Sequence, residues 1–182
     1  MDQRVKAIQA ALRALPKDRD QSELCLQPLV TQLPTATKRV SLSRKRQLRV
    51  YRRDNFVCRY CRRETILHAA LEYLAKQCPE QLPYHPNWKR SETHPLFYDI
   101  TTSCDHIVPL SRGGDDDDTN LAATCARCQY MKSDWPLEEL NWTLHDREDS
   151  DWDGLTGLFV VSFRARPWKD QNLKNWVTEL DR

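Results

Sequence analysis

Cys104-Asp105-His106-Ile107-Val108-Pro109-Leu110-Ser111-Arg112-Gly113-Gly114 is the stretch on which the reading of this chain turns. It sets a carboxylate beside an imidazole, then a proline and a glycine pair that end regular structure. It lies between two C-x-x-C pairs, Cys58-Arg59-Tyr60-Cys61 and Cys125-Ala126-Arg127-Cys128. Each pair places two sulfurs on one tight turn, and two such knuckles complete a closed tetrahedral site of four thiolates. The spacing therefore predicts a structural zinc held by Cys58, Cys61, Cys125 and Cys128, tying together segments far apart in the chain. A redox-active C-x-x-C accounts for one pair but not two, and neither pair has the strand-then-helix context of such sites. The chain has seven cysteines; Cys25, Cys78 and Cys104 are left over.

Outward from the centre, the segment ahead of the first knuckle is strongly basic. It carries Lys38, Arg39, Arg44, Lys45, Arg46, Arg49, Arg52, Arg53, Arg59, Arg62 and Arg63, opposed there by Asp54. Acidic residues gather at Asp115 to Asp118 and again between Asp146 and Asp153, so the net charge of +2 hides strong segregation. Such a bipolar chain fits a nucleic-acid partner on its basic side, with a solvated helix face as the alternative. The four aspartates lack the alternating ligand spacing of a calcium loop and read as a solvated loop. No apolar run approaches the roughly 18 residues of a membrane span. Met1-Asp2-Gln3-Arg4 leads into an amphipathic stretch rather than a signal-peptide core. The expected setting is a prokaryotic or phage-encoded protein in a cytoplasm.

Periodicity places helices over 42–53 and 65–77, over a run through Val5, Ile8, Leu12 and Leu15 ended by Pro16, and over a last run through Leu173, Trp176, Val177 and Leu180. Residues 17–34 read as linker or irregular packing, and the prolines between Pro79 and Pro95 as a long irregular stretch. Residues 96–102 have β-type composition, which predicts a hairpin around 97–110. Thr119 then reads as the N-cap of a helix over 119–131, Asp134 as the cap of another through Leu144, and 158–163 as a short strand. His68, His85, His94 and His145 have no ligand partners at metal spacing and read as structural. The six tryptophans read as core residues before base-stacking platforms.

With both knuckles, D-H-I-V-P-L, R-G-G and the later Asn120-Leu121 in this order, the sequence resembles the HNH endonuclease family. The likeness covers roughly 49–134, less an insertion near 63–95. It implies an α+β fold with a zinc-stabilised ββα-metal (HNH, His-Me finger) core. Residues 1–37 then form a helical and linker segment, 38–135 the nuclease domain with an insertion at about 64–95, and 136–182 a C-terminal extension. The chemistry suits the residue types. A neutral histidine near pH 7 is a suitable general base, and a carboxylate beside it can hold a hard divalent cation. Because neighbouring residues of a strand face opposite ways, Asp105 and His106 share one site only if the backbone turns there.

By that resemblance His106 is the general base, Asp105 a ligand of Mg²⁺ or Mn²⁺, and Asn120 the brace that orients the histidine. Gln129 stands where the family has His or Asn contacting the metal, with the same amide oxygen on a longer chain. Lys132, one helical turn on, meets phosphate. Arg52, Arg53, Arg59, Arg62, Arg63, Arg112 and Lys132 form the expected contact with DNA, taken as double-stranded. A homodimer cutting both strands and a monomer nicking one remain open. So do an inactive zinc-containing nucleic-acid-binding module and a nuclease for structured DNA or RNA.

Overall fold

The structure, a computed structural model, describes residues 3–29, 41–147 and 149–182. Lys38 and Arg39 of the basic segment, and the end of the expected linker, lie outside them. The chain divides into two compact units, Met1–Thr35 and Ala36–Arg182.

In the first unit, helix α1 spans Gln3–Ala14 and α2 spans Arg19–Leu26, so the stretch expected as linker or irregular packing from residue 17 holds a helix. Asp18 caps α2 by accepting the Gln21 N–H at 3.1 Å. The buried Ser22 hydroxyl donates to the Ala11 carbonyl at 3.0 Å and so joins the two helices. Val5, Ile8, Leu12 and Leu15 remain exposed.

The second unit opens with α3 (Arg44–Arg53), capped by Ser43, whose hydroxyl accepts the Arg46 N–H. The chain then runs through α4 (His68–Gln77), α5 (Leu96–Ile100), β1 (Thr102–His106), β2 (Leu121–Cys125), α6 (Ala126–Lys132), α7 (Leu137–Leu140), α8 (Thr156–Ala165) and α9 (Gln171–Leu180). β1 and β2 form an antiparallel pair in the register Thr102↔Cys125 to His106↔Leu121. With α6 following directly, this is a ββα arrangement inside a mostly helical unit, so the fold is α+β.

Several expectations are corrected. Residues 97–100 belong to α5, and the hairpin joins 102–106 to 121–125. The second strand was hidden inside the expected 119–131 helix because all five of its residues are buried, which erases the alternation that marks a half-buried strand. Tertiary bonds hold it extended: the Ala123 N–H donates to Asp54 Oδ2 at 2.8 Å, and the Ala123 carbonyl accepts the Arg59 N–H at 2.9 Å. Thr119 accordingly sits in a 3-10 turn, Asp118–Asn120, and Cys125 caps α6. The expected helix through Leu144 is only α7, stopped at Asn141 in the left-handed region. Residues 158–163 are helical within α8. Phe159 and Phe163, four apart, pack on one face against Tyr73 with tilted rings, and that packing overrides their β propensity.

The main core gathers Leu48, Tyr51, Phe56, Leu67, Phe159, Phe163, Leu173 and Trp176, so α3, α4, α8 and α9 brace the hairpin. Gly154, at φ 68°, lies against Phe56; a Cβ there would come within 2.2 Å of the ring. No other residue fits that approach.

Candidate active site and metal cage

The four knuckle cysteines come together. Their sulfurs all lie within 4.8 Å of one another, with Cys58, Cys125 and Cys128 buried and Cys61 exposed. Asn55 and Phe56 take positive φ after α3 and turn the chain into the first knuckle. The Cys58 carbonyl accepts the Arg62 N–H, and the Cys58 N–H donates to the Arg63 carbonyl. The second knuckle spans the β2–α6 junction, where the Cys128 N–H meets Cys125 Sγ at 3.4 Å. Hydrogen bonds from Cys125 and Cys128 hold the Cys58 thiol far below the ordinary thiol range. Sulfurs crowded around a thiolate are what a cation completes, so the cluster fits a structural metal such as zinc.

Asp105 and His106 occupy the last two positions of β1, and pairing continues through His106. Their side chains therefore leave on opposite faces, and the backbone turn that would bring both to one side does not fall between them. Asp105 is buried; its Oδ2 accepts the Tyr60 hydroxyl at 2.8 Å and lies 3.0 Å from Lys132 Nζ. Burial pushes the Asp105 carboxyl above the ordinary carboxylate range, against the opposing pull of Lys132 and Tyr60. His106, half-buried, places Nε2 3.0 Å from Asp116 Oδ1.

Asn120 clamps the loop between them. Its Oδ1 accepts the Val108 N–H at 2.8 Å, and its Nδ2 donates to the Val108 and Asp115 carbonyls at 3.0 and 2.7 Å. The Asn120 carbonyl also takes the Ile107 N–H at 2.8 Å. Gly114 lies so close that a Cβ would sit 2.0 Å from the Val108 oxygen, which accounts for glycine at that position.

Gln129 and Lys132 share the face of α6 that meets β1. Gln129 Oε1 accepts the Ser103 hydroxyl at 2.5 Å, and Nε2 donates to the Cys104 carbonyl at 2.9 Å. Lys132 has no exposed surface and donates to the His106 carbonyl at 2.7 Å. Its expected phosphate contact is thus replaced by an internal pair with Asp105.

The arginines separate into two groups. Arg53 is bidentate on the fully buried Asp54 and reaches the Asp118 and Leu121 carbonyls. Arg59 bonds the same carboxylate and the His145 carbonyl. Both hold the unit together. Arg63 pairs with Asp99, and Arg112 lies over the Trp135 ring. Arg52 and Arg62 are exposed. The acidic run, expected as a solvated loop, is docked: Asp116 and Asp118 pair with Arg46, and Asp118 also with Arg49.

Three participants escaped the sequence reading. Tyr60 lies between the knuckle cysteines, where spacing draws attention to the sulfurs alone. Asp54 looked like the lone opponent of a basic run and proves to be the hub on which arginines converge. Asp116 was masked by its neighbours in an unbroken aspartate run.

Residues 97–134 match the family model described as HNH endonuclease, a span that begins in α5 and takes in β1, the Asn120 loop, β2 and α6. No curated protein and no solved structure matches the chain.

Proposed function

We propose a nuclease-type function, which the match of residues 97–134 to the HNH endonuclease model supports. We propose that the activity is hydrolysis of DNA phosphodiester bonds, with His106 as the general base and a divalent cation at Asp105. The observation that carries this reading is the arrangement inside the matched segment. An imidazole and a carboxylate end one strand, and the loop beyond is clamped by Asn120.

The cation's fit rests on the donor set. The Asp105 carboxylate and the Gln129 amide oxygen belong to the same β1–α6 face, and hard divalent ions take oxygen ligands. Asp105, with Gln129 as second donor, would hold Mg²⁺ or Mn²⁺, which supplies charge neutralisation for the phosphate. Lys132 now provides positive charge at that carboxylate. His106 accepts the proton of the attacking water. Exposed Arg52, Arg62 and Lys45 supply backbone attraction without sequence information.

A second reading, an inactive metal-stabilised nucleic-acid-binding module, draws on Lys132 and Gln129. Both close the Asp105 face with internal bonds. Incubating the protein with duplex DNA, single-stranded DNA and structured RNA, each with Mg²⁺, Mn²⁺ or EDTA, separates the readings. Cleavage of duplex DNA that EDTA abolishes is the expected result. Retention of DNA without cleavage in either metal supports the inactive module.

A further inference from the structure

The loop carrying Asp115 to Asp118 holds four carboxylates in unlike surroundings. Asp115 Oδ1 takes the Asp117 N–H at 3.1 Å, which closes the loop on itself. Asp118 meets Arg46 Nε at 2.8 Å and Arg49 Nη2 at 2.6 Å. Asp117 is exposed. Asp116 alone reaches the strand end, with Oδ1 3.0 Å from His106 Nε2 and Oδ2 2.7 Å from Arg46 Nη1. Arg46 also bonds the Asp116 backbone carbonyl. The carboxylate is therefore fixed from α3 on one side and engaged with the imidazole on the other. Asn120 anchors the same loop through the Asp115 carbonyl.

The two nitrogens of an imidazole are not equivalent, and the hydrogen bond made by one decides which carries the proton. We propose that Asp116 is a positioning residue for His106. Its carboxylate accepts the Nε2–H, fixes the ring, and leaves Nδ1 as the nitrogen with the free lone pair, while Arg46 holds the carboxylate in place. This rests on the reading of His106 as the base. The arrangement follows the logic by which a carboxylate orients a catalytic histidine in hydrolases of other folds. It assigns a role to α3 as well. The helix that carries the basic face also braces the base, so Arg46 links the nucleic-acid side of the unit to the strand end.

The test uses the full chain in four forms: wild type, Asp116→Ala, Asp116→Glu and Asp117→Ala. ¹⁵N NMR of histidine-labelled protein reads the His106 tautomer directly. Steady-state cleavage of duplex DNA reads kcat and KM separately. Wild type shows the Nε2–H tautomer, and Asp116→Ala shows a mixture. Asp116→Ala lowers kcat at least about 10-fold, in the direction of the ~10⁴-fold loss that follows replacement of the carboxylate orienting a catalytic histidine in a Ser-His-Asp triad, while KM stays near the wild-type value. Asp116→Glu recovers most of the loss, and Asp117→Ala, which removes the same charge, leaves both constants unchanged. An unchanged tautomer in Asp116→Ala, or a kcat equal to or above wild type, overturns the proposal; a rise would make the loop a cover over His106. If wild type cleaves nothing, the nuclease reading fails on its own, and the tautomer still decides the role of Asp116.

Discussion

Lys132 Nζ lies 3.0 Å from Asp105 Oδ2 and 2.7 Å from the His106 carbonyl oxygen, with no part of the lysine exposed. One ammonium thus ties the end of α6 to both terminal residues of β1. Removing one partner of a buried pair leaves the other charge uncompensated, at a cost of about 3 to 5 kcal/mol. Lys132→Met is expected to destabilise the protein by that order, read by urea denaturation. The double variant with Asp105→Asn should lose less than the sum of the two single changes. Strict additivity would mean the pair is not coupled.

The cage predicts one zinc per chain by elemental analysis. Folding and metal binding are linked when ligands come from distant segments, here the turn after α3 and the β2–α6 junction. Stripping the metal with a strong chelator should abolish the cooperative thermal transition of the hairpin unit, and zinc should restore it. Cys58→Ser should reduce the bound metal and lower Tm. A protein that keeps its Tm after complete metal removal would contradict the structural role.

Burial pushes the His68 imidazole down to about 4 from its ordinary range. Its ring stacks on Trp88 and meets Phe97 and Tyr84 at their edges, and among the described residues its buried Nε2 has no hydrogen-bond partner. The unfolded chain binds a proton near pH 6.5 while the folded one does not, so this contribution is complete above that pH. It is lost as pH falls from about 6.5 toward 4, at up to about 1.4 kcal/mol per pH unit. Tm should drop across that window in wild type and fall less steeply in His68→Phe. Equal slopes would show that another group governs acid sensitivity.

The sequence disclosed side chains whose chemistry is tied to spacing. The two knuckles converge as expected, because C-x-x-C already fixes a local turn and only the long-range meeting is left to the fold. Gly113-Gly114 marked the turn, and Asn120, named through the resemblance, bonds both sides of that loop. What stayed hidden depended on partners remote in the chain. β2 is alanine-rich and wholly buried, and its extended form depends on Asp54 and Arg59, more than 60 residues earlier. Leu158 to Phe163 carries β-type residues, yet Tyr73 selects the helical face that presents Phe159 and Phe163 together. Asp116 differs from its neighbours only through Arg46 and His106. The burial of Lys132 depends on the depth at which α6 meets β1, which no local pattern encodes.

The measurement that bears most directly on the central claim is cleavage of supercoiled plasmid by wild type and His106→Ala, each with Mg²⁺, Mn²⁺ or EDTA. Metal-dependent nicking or linearisation by wild type is expected, with loss of at least about 100-fold in His106→Ala, the scale of a removed general base. Equal cleavage by the two proteins, or none by a folded, zinc-loaded wild type in either metal, would contradict that claim.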